Sequence, residues 1–261
     1  MLTTLILFAS GLGIGTLGTL IGAGGGWMIV PLLLLGFDFT PQQAVGTSLA
    51  VVFFNALSGS IAYVVQGRVL YVMGIAFAAA TIPGALLGAW LVQYLGSAWF
   101  SALFGWFLLL MAVYLYRGQG LLLRGRNVPR ARAEYWRSLR SPEMRLGVFV
   151  SFVVGIVSSL FGVGGGIIHV PFLILVLGLP VHTATATSQF VLTITSLTGS
   201  LLFFRQGQIQ GTAAASMGVG VMIGAQGGAW LSTRLTGEPI RRILAATLAI
   251  FAIRMILRFA F

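Results

Sequence analysis

An all-α polytopic membrane protein made of two homologous repeats is the fold the sequence predicts, and three observations predict it. Of 261 residues 58% are hydrophobic and 7% charged, with a mean hydropathy of +1.01. A water-soluble domain of this length has too little interior to hide that much apolar surface. Eight segments are mostly apolar, and most of them reach the roughly 20 residues that cross a bilayer as helix. Finally, a shift that carries Gly22 onto Gly162 lays the second half on the first without a gap. Strand-like alternation is missing, which argues against a membrane barrel.

Taken in order, the long segments are residues 2–20, 43–65, 69–95 and 98–116, then 146–161, 183–204, 209–233 and 243–258. The first has no basic residue before it and no small-residue cleavage site, so it is expected to be a retained helix rather than a signal peptide. Each half also holds a short apolar segment, 27–38 or 167–178, directly after a glycine run. A dozen residues make roughly 18 Å of helix, too little for a bilayer core of about 30 Å. Each repeat therefore has four long transmembrane helices plus one short broken or re-entrant helix. Counting the short piece as a crossing makes the repeats inverted; counting it as re-entrant makes them parallel. The association of broken helices with inverted repeats in transporters favours inversion.

The repeat is carried by the order of Gly, Pro, Thr and Ser rather than by shared apolar residues. GAGGGWMIVP at 22–31 returns as GVGGGIIHVP at 162–171, Thr47-Ser48 as Thr187-Ser188, Gln66-Gly67 as Gln206-Gly207, and Gly88-Ala89-Trp90-Leu91 as Gly228-Ala229-Trp230-Leu231. The organisation expected is repeat 1 over 1–116, an arginine-rich linker over 117–145, and repeat 2 over 146–261. The net charge of +11 comes from arginine alone, since there is no lysine, and the linker from Arg117 to Arg145 concentrates it. A basic loop between spans marks the cytoplasmic side by the positive-inside rule, so no nucleic-acid partner is expected.

Three adjacent glycines lower helix propensity by about 1 kcal/mol each, and the proline five residues on has no N–H to donate. Backbone groups freed in hydrocarbon cost several kcal/mol each unless they face protein or a wet cavity. Gly24, Gly25 and Gly26, with Gly164, Gly165 and Gly166, are therefore expected inside the bundle. There, bare N–H groups and the positive end of a short helix make a nest suited to an anion. The neutral donors at the start of the following spans extend it: Thr47, Ser48 and Asn55 in one copy, Thr187, Ser188 and Gln189 in the other. His169, just after the second glycine run, is the remaining candidate contact.

Other chemistries fit poorly. The four acids are Asp38, Glu134, Glu143 and Glu238, none well inside a long span, so a carboxylate proton relay or a cation cage has no support. Cysteine is absent, and two scattered histidines with no intramembrane acid supply neither a metal cluster nor a catalytic set. No metal and no cofactor are expected, and a membrane-embedded enzyme ranks second to a transporter. The glycine runs are not nucleotide loops: Trp27 and Ile167 stand where the last glycine of G-x-G-x-x-G belongs, and no lysine follows.

The duplicated G-x-G-G-G-x-x-x-V-P, followed by Ala44 to Ser48 as A-V-G-T-S or Ala184 to Ser188 as A-T-A-T-S, resembles the TauE/SafE family of membrane transporters. That resemblance covers nearly the whole chain. It implies a multi-pass permease of the cell (inner) membrane for small sulfur-containing anions such as sulfite, sulfoacetate or related sulfonates, often in the export direction. The family's repeated glycine motif falls on Gly22 to Gly26 and Gly162 to Gly166. Ala186 replaces the glycine of A-x-G-T-S, so the half-sites need not be equivalent. The expected partners are a small anion and the lipid bilayer, and a homodimer is compatible with both.

Overall fold

In a computed structural model, residues 2–117, 142–234 and 237–260 are described; the expected arginine-rich linker lies outside them from 118 to 141. The elements are α1 (Leu2–Ile21), α2 (Gly26–Gly36), α3 (Pro41–Val65), α4 (Tyr71–Leu91), α5 (Ser97–Arg117), α6 (Pro142–Phe161), α7 (Gly166–Leu175), α8 (Val181–Arg205), α9 (Gly211–Leu231) and α10 (Gly237–Ala260), with a 3-10 turn at Val92–Tyr94. Each half is thus a long helix, a short one and three more long ones, and no strand occurs among the described residues.

Local chemistry sets the boundaries. Gly22, Gly24 and Gly25 all have positive φ, as do Gly162, Gly164 and Gly165, a conformation that costs other residues strain. The same holds at Gly67 and Gly207, where α3 and α8 end: Arg68 N donates to Tyr63 O at 3.2 Å and Gln208 N to Phe203 O at 2.9 Å. The repeated Gln-Gly pairs are therefore left-handed helix caps. At the start of α3, Thr40 and Gln43 form a reciprocal capping box. The short helices have 11 and 10 residues and end earlier than expected. Asp38 lies beyond α2, with a φ of 52°.

Among the described residues six helices are long and apolar enough to span a bilayer: α1, α3, α4 with its 3-10 turn, α5, α6 and α8. α9 falls short of that set although its counterpart α4 is in it, since glycines and Gln226 dilute it; in α10 the described residues Ala245–Leu257 are apolar.

The long helices pair across the two halves: α1 on α9, α4 on α6, α5 on α10, and α3 on α8. Exchanging the halves maps this set onto itself. In the first pair, a Cβ on Gly11 would stand 2.6 Å from Met217 O, and one on Gly15 2.6 Å from the Val221 Cα, so the helices run parallel. Gly84 and Gly88 of α4 press on Phe152 and Ile156 of α6 in the same sense. The central pair runs the other way: a Cβ on Gly46 would be 2.9 Å from Phe203 Cβ, one on Gly199 2.8 Å from Leu49 Cδ1, and Gln189 Nε2 reaches Asn55 O at 3.5 Å. α3 has 61% of its span buried and α1 only 33%, which places α3 in the centre and α1 against lipid. Glycine makes these approaches possible, as small residues do between membrane helices.

Gly220 packs directly on Phe8 O, whereas a Cβ on Gly13 meets nothing within 4 Å. Gly220→Ala is expected to destabilise the fold by about 1–3 kcal/mol through overpacking. Gly13→Ala should be neutral or stabilise by about 0.5–1 kcal/mol. Thermal unfolding in detergent checks both, and equal midpoints for the two variants would refute the packing assignment.

Candidate functional site

Both glycine runs end one long helix and start a short one. In the first, Gly22 N donates to Thr19 O at 3.0 Å, while Ala23 N and Gly24 N both reach Gly18 O, at 2.8 and 3.1 Å. These amides close α1, which differs from the expectation of a freely donating run. The amides left without an acceptor are instead those of the first turns of α2 and α7. The N-caps there are Gly25 and Gly165, with φ of 82° and 80°, and neither supplies a side-chain cap. The first N–H groups of a helix have no acceptor within it, so each start presents bare donors at the positive end of its dipole.

The two starts meet. Gly26 of α2 lies on Gly162 and Val163, and Gly166 of α7 lies on Gly22 and Ala23. Serines from the central helices lock the contact: Ser48 Oγ donates to Gly162 O at 2.7 Å, and Ser188 Oγ donates to Gly22 O at 3.2 Å. Each serine belongs to the half opposite its acceptor. Between the turns stand Val52 and Leu192, also equivalent positions: a Cβ on Gly164 would be 2.7 Å from Val52 Cγ1 and 3.0 Å from Leu192 Cδ1, and one on Gly24 3.0 Å from Val52 Cγ1. This apolar pair closes the space between the helix starts.

Of the residues singled out from sequence, the six glycines, Ser48, Ser188, Asn55 and Gln189 come together at this centre. Asn55 Nδ2 donates to Gly24 O at 3.1 Å, and its Oδ1 accepts from Thr19 Oγ1 at 3.1 Å. Gln189 Nε2 reaches Thr19 Oγ1 at 3.3 Å, while its Oε1, buried, has no partner. Tyr63 OH donates to Thr19 O at 2.9 Å and completes the cluster. Thr19 and Tyr63 were missed in the sequence, because a threonine in an apolar helix reads as locally bonded and a tyrosine as an interface anchor.

Thr47 and Thr187 do something else. Thr47 Oγ1 accepts from Gln210 N at 3.0 Å, and Thr187 Oγ1 accepts from Leu70 N at 3.1 Å. Each caps the start of a long helix in the other half. His169 bonds outside that cluster, with its Nε2 3.0 Å from Ser151 Oγ and its ring 5.6 Å from that of Phe77. Ser151 gives its hydroxyl proton to Gly147 O at 2.7 Å, so the imidazole N–H is the donor to the serine oxygen.

The lining is chemically neutral. Among the described residues the buried polar side chains are Ser, Thr, Asn, Gln and His169, with no buried carboxylate or guanidinium residue. No group of His, Cys, Asp or Glu that could hold a metal occurs among them. Such a centre offers directed neutral donors to an anion and no hard ligand cage to a cation.

Ser48→Ala removes a fully buried donor and strands the Gly162 carbonyl. A loss of roughly 1–3 kcal/mol is expected, against less than about 0.5 kcal/mol for Ser216→Ala, a half-buried residue whose hydroxyl bonds only Thr212 O of its own helix. Comparison of detergent unfolding midpoints tests this, and equal shifts would mean that the serine lock contributes nothing.

The Sulfite exporter TauE/SafE family profile matches residues 7–255. The chain is 33% identical over 267 residues to the "Probable membrane transporter protein YunE" of Bacillus subtilis, covering 96% of both. It is 32% identical over 243 residues to a "Probable membrane transporter protein" of Xylella fastidiosa, covering 92% of this chain and 89% of the other. A third similar protein, "Probable membrane transporter protein MJ0441" of Methanocaldococcus jannaschii, is 26% identical over 97% of this chain and 95% of its own length. No solved structure matches the chain. With nearly its whole length matched, and with the paired glycine turns at its centre, the chain belongs to the TauE/SafE family of multi-pass membrane transporters.

Proposed function

We propose that this transporter carries a small anion, a sulfur-containing oxyanion or organosulfonate such as sulfite or sulfoacetate, by alternating access around the paired helix breaks. The observation that carries the reading is the meeting of two uncapped helix starts at Gly26 and Gly166, in surroundings where no charged residue among the described ones is buried as a whole. Two helix dipoles and several bare amides attract an anion there, while the neutral lining keeps its release easy. The sulfur chemistry comes from the family's name and not from the geometry.

The repeats are read as inverted in the membrane. Equivalent helices α3 and α8 pack antiparallel, which supports a pseudo-twofold axis in the membrane plane. The parallel pairings of α1 with α9 and α4 with α6 fit the same scheme, with α2 and α7 counted as short crossings. The linker is placed on the cytoplasmic side of the cell membrane. Export is the favoured direction: an inside-negative potential drives an anion outward by about 2.3 kcal/mol per charge per 100 mV, so no coupled ion is required.

Gly25→Leu and Gly165→Leu force a side chain onto a left-handed backbone in the middle of the site. In proteoliposomes loaded with sulfite or a sulfonate, each variant that still folds is expected to lose at least about nine-tenths of the flux, a change of roughly 1.4 kcal/mol or more. Unchanged flux in folded protein would sink the reading.

A further inference from the structure

The two helix starts are alike in backbone but not in what faces them. In the first half, Gly18 approaches the α2 start so closely that a Cβ on it would stand 2.7 Å from Gly25 N. No side chain fits there. The equivalent position in the second half is Ser158, whose Oγ lies 3.6 Å from where a Cβ on Gly165 would be. That hydroxyl is fully buried and has no hydrogen-bond partner.

An unpaired hydroxyl is unusual in this molecule. Ser151, Thr193, Ser196 and Thr198 all donate to the carbonyl four residues earlier, the ordinary resting bond of a helix hydroxyl. Ser158 forgoes that bond and packs against Gly165, the N-cap of α7, a helix start with no side-chain cap. A buried donor without an acceptor is costly, and the missing partner is an acceptor.

We infer that the anion is seated at the N-terminus of α7 rather than equally between the two turns, with the Ser158 hydroxyl as a selectivity donor, and that the seat takes a singly charged oxyanion head. This rests on the anion-transport reading above and narrows it. The charge limit follows from the lining: neutral hydroxyls, amides and one helix end replace the water around an ion, and among the described residues no arginine is buried as a whole to balance a second charge, Arg68 beyond the end of α3 being only partly buried. In a continuum picture desolvation grows as the square of the charge, so a sulfate-like dianion loses far more than a sulfonate head or hydrogensulfite. Sulfoacetate carries its two charges on separate heads, of which the seat takes one.

The test uses the full chain in proteoliposomes at fixed membrane potential, with methanesulfonate as the carried probe and sulfate as competitor, and compares wild type with Ser158→Ala and with Ser216→Ala on α9. Because the Ser158 hydroxyl has no partner to lose, the alanine variant should fold with an unfolding midpoint equal to or above wild type. Its half-saturating methanesulfonate concentration is expected to rise about tenfold, with maximal flux changed less, and Ser216→Ala should match wild type. Sulfate should displace the probe only at a concentration at least about tenfold higher than methanesulfonate itself requires. A half-saturating concentration in Ser158→Ala within twofold of wild type, with wild-type transport intact, overturns the seat and leaves the transport reading standing. Equal competition by sulfate overturns the charge limit. Wild-type protein that carries neither methanesulfonate nor sulfite overturns the seat and the transport reading together.

Discussion

A helix broken inside hydrocarbon must find partners for its freed backbone groups within the protein, because lipid offers none. Everything at the centre of this molecule follows from that constraint. The two breaks serve as each other's partners: Gly26 rests on Gly162, Gly166 on Gly22, and the carbonyls at both contacts are taken by Ser48 and Ser188 from the opposite halves. Thr47 and Thr187 then cap helices of the opposite halves. A single repeat would leave all four of these groups without a partner, so the duplication is a condition of the fold. The packing agrees, since each long helix of one half lies against a long helix of the other.

The same constraint produces the electrostatics. Glycine at the caps leaves no side chain to close the helix starts, so the positive ends of two dipoles meet in a region of low dielectric. Symmetry ends at the lining. Around the α2 start, Thr19, Asn55, Tyr63 and Gln189 form a hydrogen-bonded cluster. The equivalent positions in the other half are Ser159, Thr195, Phe203 and Leu49. There Thr195 turns to Thr81 at 2.7 Å, while the Ser159 hydroxyl, like that of Ser158, is buried and unpaired. One start is held rigid by amides and hydroxyls; the other keeps open hydroxyls beside it.

Much of this was legible in the sequence, and what was not shares one physical reason. The breaks, the short helices and the duplication are local or periodic features: glycine triplets, V-P pairs and a fixed offset state them directly. Gln66-Gly67 and Gln206-Gly207 stood out as matches and prove to be helix caps at positive φ. The roles of Thr47, Thr187 and Ser158 depended on which helix lies opposite, and a hydroxyl in an apolar helix carries no mark of whether it bonds its own turn or a distant carbonyl. For the same reason, His169 was expected near the ligand on adjacency to the glycine run. It is held instead by Ser151 of α6, eighteen residues earlier in the chain.

The contacts also restrict how the centre can open. At Gly84, Gly88 and Gly155 between α4 and α6, and at Gly220, Gly224 and Gly228 between α1 and α9, backbone meets backbone with no room for a methyl group. Such interfaces have no side chains that can change rotamer, so sliding along them collides at once. Each pair is therefore joined backbone to backbone, although its two helices come from different halves. The turns are separated by a different kind of contact, the side chains of Val52 and Leu192, which can rotate apart without moving a backbone. The α3–α8 seam that carries those two side chains is thus built differently from the glycine interfaces, which join helices drawn from both repeats backbone to backbone.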